Sequence, residues 1–214
     1  MIRSNIMAEV KIILSVDKYK GSTYCVEFED GDKIYLNSTI IAKFSLRAEV
    51  GIPQEALDEI IFENDFRRAK ERAFYLIDFR DHSYKELLDK LEKNYTEDVC
   101  SAVMAKMVEL RLIDDRKYAE MVARNLVEVK HFGKYRASFE MYKKGLDKEL
   151  IAEMLEPYEE ETQERLDTLV AKKYARYLVD QKGVQKVRNA LTRQGYSYAD
   201  IKAVLENYLD EVED

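Results

Sequence analysis

Apolar positions along the chain follow two periods. Residues 9–36 hold runs rich in Val, Ile, Tyr and Phe, "EVKIILSV" and "TYCVEFED", which read as strands. In "EDGDKIYL" the pair Asp30-Gly31 sits where a tight hairpin turn belongs, so a small β-meander is predicted. From Ser38 onward the spacing is helical. Pro53, in "GIPQEAL", follows a Gly stop and is read as lying just inside a new helix. Pro157, the other proline, opens an acidic segment, so both prolines mark junctions between segments.

After about residue 60 the pattern recurs with a period of 50. Apolar columns run through Phe79, Val129 and Val179; Leu87, Ala137 and Val187; Leu91, Met141 and Leu191; Ala105, Leu155 and Leu205; and Val108, Tyr158 and Tyr208. A column is apolar three times by chance roughly once in ten, and five such columns at helical spacing indicate a true repeat. Punctuation recurs as well. Ser83, Gly133 and Gly183 share one column and Tyr95, Gly145 and Gly195 another, which places two turns in each repeat and makes each repeat three helices. "SYKE" at 83–86 is a capping box, and Thr96, Asp147 and Ser197 are placed to cap the third helices. The fold class expected is mainly α: three tandem three-helix repeats in an elongated curved array, after a small β-rich N-terminal domain. The boundaries expected are 1–60 for the β-rich domain with its helical linker, then 61–116, 117–166 and 167–214 for the repeats.

"RLIDDRKYAEMV" carries two adjacent carboxylates, Asp114 and Asp115, a pairing that metal binding, acid/base chemistry or helix capping would each use. Fifty residues earlier stand Asn64 and Asp65, the other good capping pair, read as lying immediately before the first helix of the first repeat. Asn cannot replace a catalytic carboxylate, but it replaces Asp at an N-cap almost freely, because both offer a side-chain oxygen to unpaired backbone N–H groups. Capping is therefore the reading for the pair.

Of the 214 residues, 46% are apolar and 36% charged, enough for one or two cores under a heavily solvated surface. No run approaches the roughly 20 apolar residues of a membrane span, and "MIRSNIMAEVKI" lacks the apolar core of a signal peptide, so a cytoplasmic protein without membrane attachment is expected. Cys25 and Cys100, the two cysteines, fit reduced core thiols. Phosphate-loop, dinucleotide and zinc-protease motifs are missing, and His82 and His131 stand one position out of register with each other, so no catalytic residue, metal site or cofactor is expected.

A net charge of −7 argues against coating nucleic acid by bulk electrostatics, but the charge is unevenly distributed. An acidic segment, "EPYEEETQERLD" at 156–167, separates two basic ones. Residues 130–144 hold Lys130, Lys134, Arg136, Lys143 and Lys144 against Glu140. Residues 172–193 hold seven cations, among them Lys172, Lys173, Arg176, Lys186, Arg188 and Arg193, against Asp180. About five or six phosphate contacts suffice for salt-sensitive DNA binding. Lys93, Lys143 and Arg193 also share one repeat column, where a cation at a helix C-terminus offsets the dipole. Lys134, Arg136, Lys143 and Lys144 are expected at solvated positions whose reversal to Glu barely changes stability.

"LIDDRKYA" at 112–119, "KHFGKYRASFEMYKKGLDKELI" at 130–151, "HSYKELLDKL" at 82–91 and, more weakly, "GVQKVRNALTRQGYSYADI" at 183–201 resemble the RecX regulatory proteins, bacterial modulators of the RecA recombinase. The resemblance covers about residues 62–209, and the β-rich extension is similar to that of longer members from Gram-positive bacteria. It departs at Asn94-Tyr95, where the other repeats have Lys144-Gly145 and Gln194-Gly195. It implies three three-helix units arranged as a curved rod. It also implies a monomeric partner of RecA that lies along the groove of the filament on single-stranded DNA and restrains ATP hydrolysis and strand exchange. The eleven cations named in the two basic segments are the candidate contacts to DNA or filament. The reading from another class is a helical-repeat DNA-binding transcriptional regulator, since a three-helix unit can present a recognition helix to the major groove. Three similar units suit a long regular ligand better than a short operator.

Overall fold

The structure is a computed structural model and describes residues 10–209. The N-terminal segment read for a leader, Glu9 of the first predicted strand and the last residues assigned to the third repeat lie outside the described residues. The chain divides into two compact units, one of residues 1–79 and 90–109, the other of 80–89 and 110–214.

In the first unit, strands β1 (Val10–Lys20), β2 (Thr23–Phe28), β3 (Lys33–Asn37) and β4 (Gly51–Pro53) form an antiparallel sheet in the order β3-β2-β1-β4. The expected hairpin is present. The Phe28 N–H donates to the Asp32 carbonyl at 2.9 Å and the Gly31 N–H to the Phe28 carbonyl at 3.0 Å, with Gly31 at φ 90°. A short helix α1 (Ser38–Lys43) follows, capped by Asn37, and then β4. Pro53 thus ends a strand instead of starting a helix: Val10 pairs with Pro53 and Ile12 with Gly51, at a sheet edge where a residue lacking an N–H is tolerated. Ile13, Val26, Phe28, Leu36, Ile40 and Ile52 are buried with Leu57 and Ile60 of the long helix α2 (Gln54–Phe79).

Helix α2 runs unbroken through Asn64 and Asp65, so this pair caps nothing. Asn64 is buried mid-helix, where its Oδ1 accepts the Asn37 N–H at 3.0 Å and ties the helix to the end of β3. Spacing alone does not distinguish this from a cap, because the strand edge that recruits the amide is remote in sequence. Further along α2, Ala69, Ala73 and Leu76 are buried, as are Val99, Val103, Met104 and Met107 of α4 (Glu97–Glu109). Between these helices comes α3 (Tyr84–Leu91).

The second repeat comprises α5 (Asp115–Arg124), α6 (Lys134–Tyr142) and α7 (Lys148–Leu155); the third comprises α8 (Thr162–Leu169), α9 (Gln181–Arg193) and α10 (Tyr198–Leu209). Each has its own core, centred on Ala119, Ala123, Ala137, Met141 and Leu155 in one and on Leu166, Val170, Val187, Leu191 and Leu205 in the other. The first helices of both repeats end in a π-helical turn, Asn125–Val129 and Val170–Tyr174.

Two of the five predicted columns, Leu87/Ala137/Val187 and Leu91/Met141/Leu191, are buried in all three repeats. The other three need correction. Phe79, Val129 and Val179 are 80%, 67% and 72% exposed and belong to no core. Ala105 and Val108 are exposed, and the residues matching Leu155/Leu205 and Tyr158/Tyr208 are Met104 and Met107, one position earlier. The offset arises in the turn before α4. Gly145 and Gly195 adopt left-handed conformations, φ 78° and 89°, whereas 92–96 contains no positive φ and reaches its third helix one residue sooner.

Candidate functional site

Within the second unit the middle helices of the repeats meet end to end. The Ser83 hydroxyl at the start of α3 donates to the Lys144 carbonyl in the turn that ends α6. One repeat later the Gly133 N–H, at the start of α6, donates to the Gln194 carbonyl at 2.9 Å, and the Tyr135 N–H donates to the Gly195 carbonyl at 3.1 Å. A helix start presents free N–H groups and a helix end free carbonyls, so apposing them satisfies both and aligns the dipoles. Gly145 lies against Lys85, and Gly195 against the backbone of Arg136, with no room for a Cβ at either. The repeated punctuation therefore marks joints between repeats as well as turns within them. Gly183 falls inside α9, which starts at the Asp180 cap, whose side chain accepts the Gly183 N–H.

At the first joint a charged network closes over the interface. Glu86 of α3, 18% exposed, accepts from both Arg80 guanidinium nitrogens at 3.2 Å and from the Tyr118 hydroxyl at 2.8 Å, while Lys144 lies 3.6 Å from its carboxylate. Lys144 also donates to the Tyr118 hydroxyl at 3.1 Å. Burial by itself would push the Glu86 carboxyl up, but hydrogen bonds from Arg80 and Tyr118 and the charges of Lys144 and Arg80 outweigh it and bring the group down to about 2. Burial raises the Tyr118 phenol, and the Glu86 bond holds Arg80 more firmly charged.

Asp114 is the cap expected. Its backbone is extended and its Oδ1 accepts the Lys117 N–H at 3.0 Å. Asp115 does something the sequence reading did not separate from capping: its carboxylate accepts the Tyr84 N–H at 2.7 Å, at the start of the neighbouring repeat's α3. Burial raises this carboxyl above its usual range, the Tyr84 bond opposes that, and nearby Asp114, Asp147 and Glu86 add to the rise. No group of three or more acidic, His or Cys side chains that could hold a metal occurs among the described residues.

Beside the joints open two clefts of about 570 and 580 Å³. Tyr118, Met121, Val122, Asn125 and Leu126 line the first; their structural equivalents Arg165, Thr168, Leu169, Lys172 and Lys173 line the second. The same geometry is thus built twice with different chemistry. Arg80, Lys130 and Lys144 ring the first, and Glu128, Glu161 and Glu164 offset the cations of the second.

The candidate cations fall into two groups. Lys130, Lys134, Lys143, Lys172, Lys173, Arg176, Lys186 and Arg193 are exposed. Among them Lys134 pairs with Glu159, Lys143 lies 3.7 Å from Glu140, and Arg176 donates to the Tyr177 hydroxyl at 2.8 Å. Arg136, Arg188 and Lys144 are half-buried. Arg136 stacks on the Phe132 ring at 4.1 Å and donates to the Arg193 carbonyl at 3.1 Å, Arg188 has a buried Nε without a partner, and Lys144 belongs to the Glu86 network. The expectation of solvated positions is corrected for Arg136 and Lys144, because the joints between repeats recruit them.

Models of the RecX three-helix domains match the chain three times in order: the first domain at 69–107, the second at 114–155 and the third at 159–205. The chain belongs to the RecX family. Regulatory protein RecX of Streptococcus pneumoniae strain 70585 is 29% identical over 91% of this chain and 76% of its own length, and that of strain Hungary19A-6 is 28% identical over the same shares. A crystal structure of regulatory protein RecX covers 92% of this chain and 99% of its own at TM-score 0.64 and 18% identity, which speaks for the fold. A RecX crystal structure from Lactobacillus salivarius covers 68% of this chain and 97% of its own at TM-score 0.62 and 26% identity. No helix among the described residues is long and apolar enough to cross a membrane.

In this RecX family member the Arg80–Glu86–Tyr118–Lys144 network escaped the sequence reading. One signal was available. Glu86, Arg136 and Lys186 share a repeat column, so the first repeat reverses the charge at a position where the others are basic. Such a reversal next to a joint calls for a cation from the neighbouring repeat, which Lys144 supplies.

Proposed function

We propose that the chain is a non-enzymatic, cytoplasmic, monomeric regulator that binds the RecA recombinase and its filament on single-stranded DNA, restraining ATP hydrolysis and strand exchange in DNA repair and recombination. The observation that carries this reading is the match of all three RecX domains in tandem order. The end-to-end joints support it. They repeat one packing geometry along the second unit, and repeated units suit a ligand that itself repeats. The exposed cations of the second and third repeats are the contacts assigned to phosphate or acidic recombinase surface; Lys144, held by Glu86 and Tyr118, acts within the joint.

The test is ATP hydrolysis by RecA on single-stranded DNA, titrated with the full chain at several salt concentrations. The parent is expected to inhibit. The triple variant Lys130→Glu, Lys143→Glu, Lys186→Glu is expected to lose inhibition and to flatten its salt dependence, since each lost phosphate contact lowers the salt slope by roughly 0.7. A parent without effect on RecA hydrolysis and without binding to the filament overturns the reading, and a triple variant that inhibits as the parent does removes these cations from it.

A further inference from the structure

Helix α6 has an outward face that its fold position does not require. Ala137 and Met141 are its buried residues. At about 100° per residue, Tyr135, Phe139 and Tyr142 cluster on the opposite side, and they are 68%, 59% and 60% exposed. A surface helix normally carries charged or polar residues there. The sister repeats do: the matching positions are Lys85, Asp89 and Glu92 in the first, and Gln185, Asn189 and Thr192 in the third. Three copies of one architecture thus share the buried columns, and only the middle copy turns aromatic on the outside.

We infer that Tyr135, Phe139 and Tyr142 form a stacking platform for the bases of single-stranded nucleic acid. The rings recur roughly 6 and 4.5 Å apart along the helix axis, more than the ~3.4 Å rise per nucleotide in a duplex strand, so they suit a strand whose bases are parted from one another. Cations flank the row: Lys143, whose ammonium lies 5.4 Å from the Phe139 ring centre, on one side beside the half-buried Arg136, and Lys134, which is paired with Glu159, on the other. Glu140, the one acid of α6, sits toward the core side and is drawn to Lys143. Aromatic rings bordered by cations are the chemistry that holds a polyanion with exposed bases, because every base has a π face and every nucleotide a phosphate. An apolar protein surface would have no use for the cationic border. The inference rests on the filament reading for its setting, and names the part of that ligand which touches the chain directly.

The test uses the full chain and a fluorescently labelled oligothymidylate, read by anisotropy at several salt concentrations. Installing the third repeat's residues in the second, Tyr135→Gln, Phe139→Asn and Tyr142→Thr, keeps a surface the fold already tolerates; thermal melting by circular dichroism verifies folding. The parent is expected to bind the oligonucleotide, and the swapped variant to bind at least tenfold more weakly with an unchanged salt slope, since rings and not charges were removed. Lys143→Glu should do the reverse in kind, lowering the slope by about 0.7. The inference is overturned if the parent does not bind bare oligothymidylate, or if the folded swapped variant binds it within twofold of the parent. It is also overturned if that variant keeps the oligonucleotide but loses inhibition of RecA hydrolysis, which would make the face a protein-docking surface. Hydrolysis by RecA with the parent chain reports separately on the filament reading.

Discussion

Replacing Glu86 by Gln keeps the shape of the side chain and removes the charge that Arg80, Tyr118 and Lys144 surround. The carboxyl is held at about 2 against an ordinary 4.5, a difference worth about 3 kcal/mol of folding free energy at neutral pH. The sign is that of a depressed acid: the contribution is fully present above the unfolded value and is lost as pH falls through the folded one. At pH 3 less than half of it should remain. The variant should therefore trail the parent by up to about 3 kcal/mol at pH 7 and by about 2 kcal/mol less than that at pH 3. Urea denaturation followed by circular dichroism measures both gaps, and because all other carboxylates titrate in both proteins, the difference isolates this one. A gap of the same size at pH 7 and pH 3 would show that Glu86 contributes shape and not charge.

Gly195→Ala should destabilise by about 2 kcal/mol or more, because φ is 89° and a Cβ would enter the Arg136 backbone, whereas Gly21→Ala, at φ 57° in open space, should cost about 1 kcal/mol; thermal melts compare them. Asp114→Asn should be nearly neutral and Asp114→Ala should cost about 1 kcal/mol, with the double Asn variant at 114 and 115 keeping its inhibition of RecA hydrolysis, since Asn retains an acceptor for the Lys117 and Tyr84 amides. Asn64→Ala should cost about 1–3 kcal/mol by leaving the Asn37 N–H buried and unpaired, and amide exchange at Asn37 should accelerate; unaltered exchange there would refute the bond's role.

The three-helix repeat was legible because burying a helix face demands apolar residues at fixed spacing, and Leu87/Ala137/Val187 and Leu91/Met141/Leu191 satisfy that demand in the linear chain. The hairpin at Asp30-Gly31 and the cap at Asp114 were legible for a related reason, since both are set by backbone groups within four residues. What depends on a remote partner was not. Asn64 looks like a cap until strand β3 brings Asn37 to it, and Pro53 looks like a helix start until β1 pairs with its strand. Asp115 and Glu86 carry one set of neighbours in sequence and another in space. Their roles were decided by the joint that apposes the start of one repeat's helix to the end of the next, and no local spacing encodes which residues meet there. Composition likewise showed that cations cluster at 130–144, but only packing separated Lys144, drawn into the joint by Glu86, from Lys143, left facing water beside an aromatic ring.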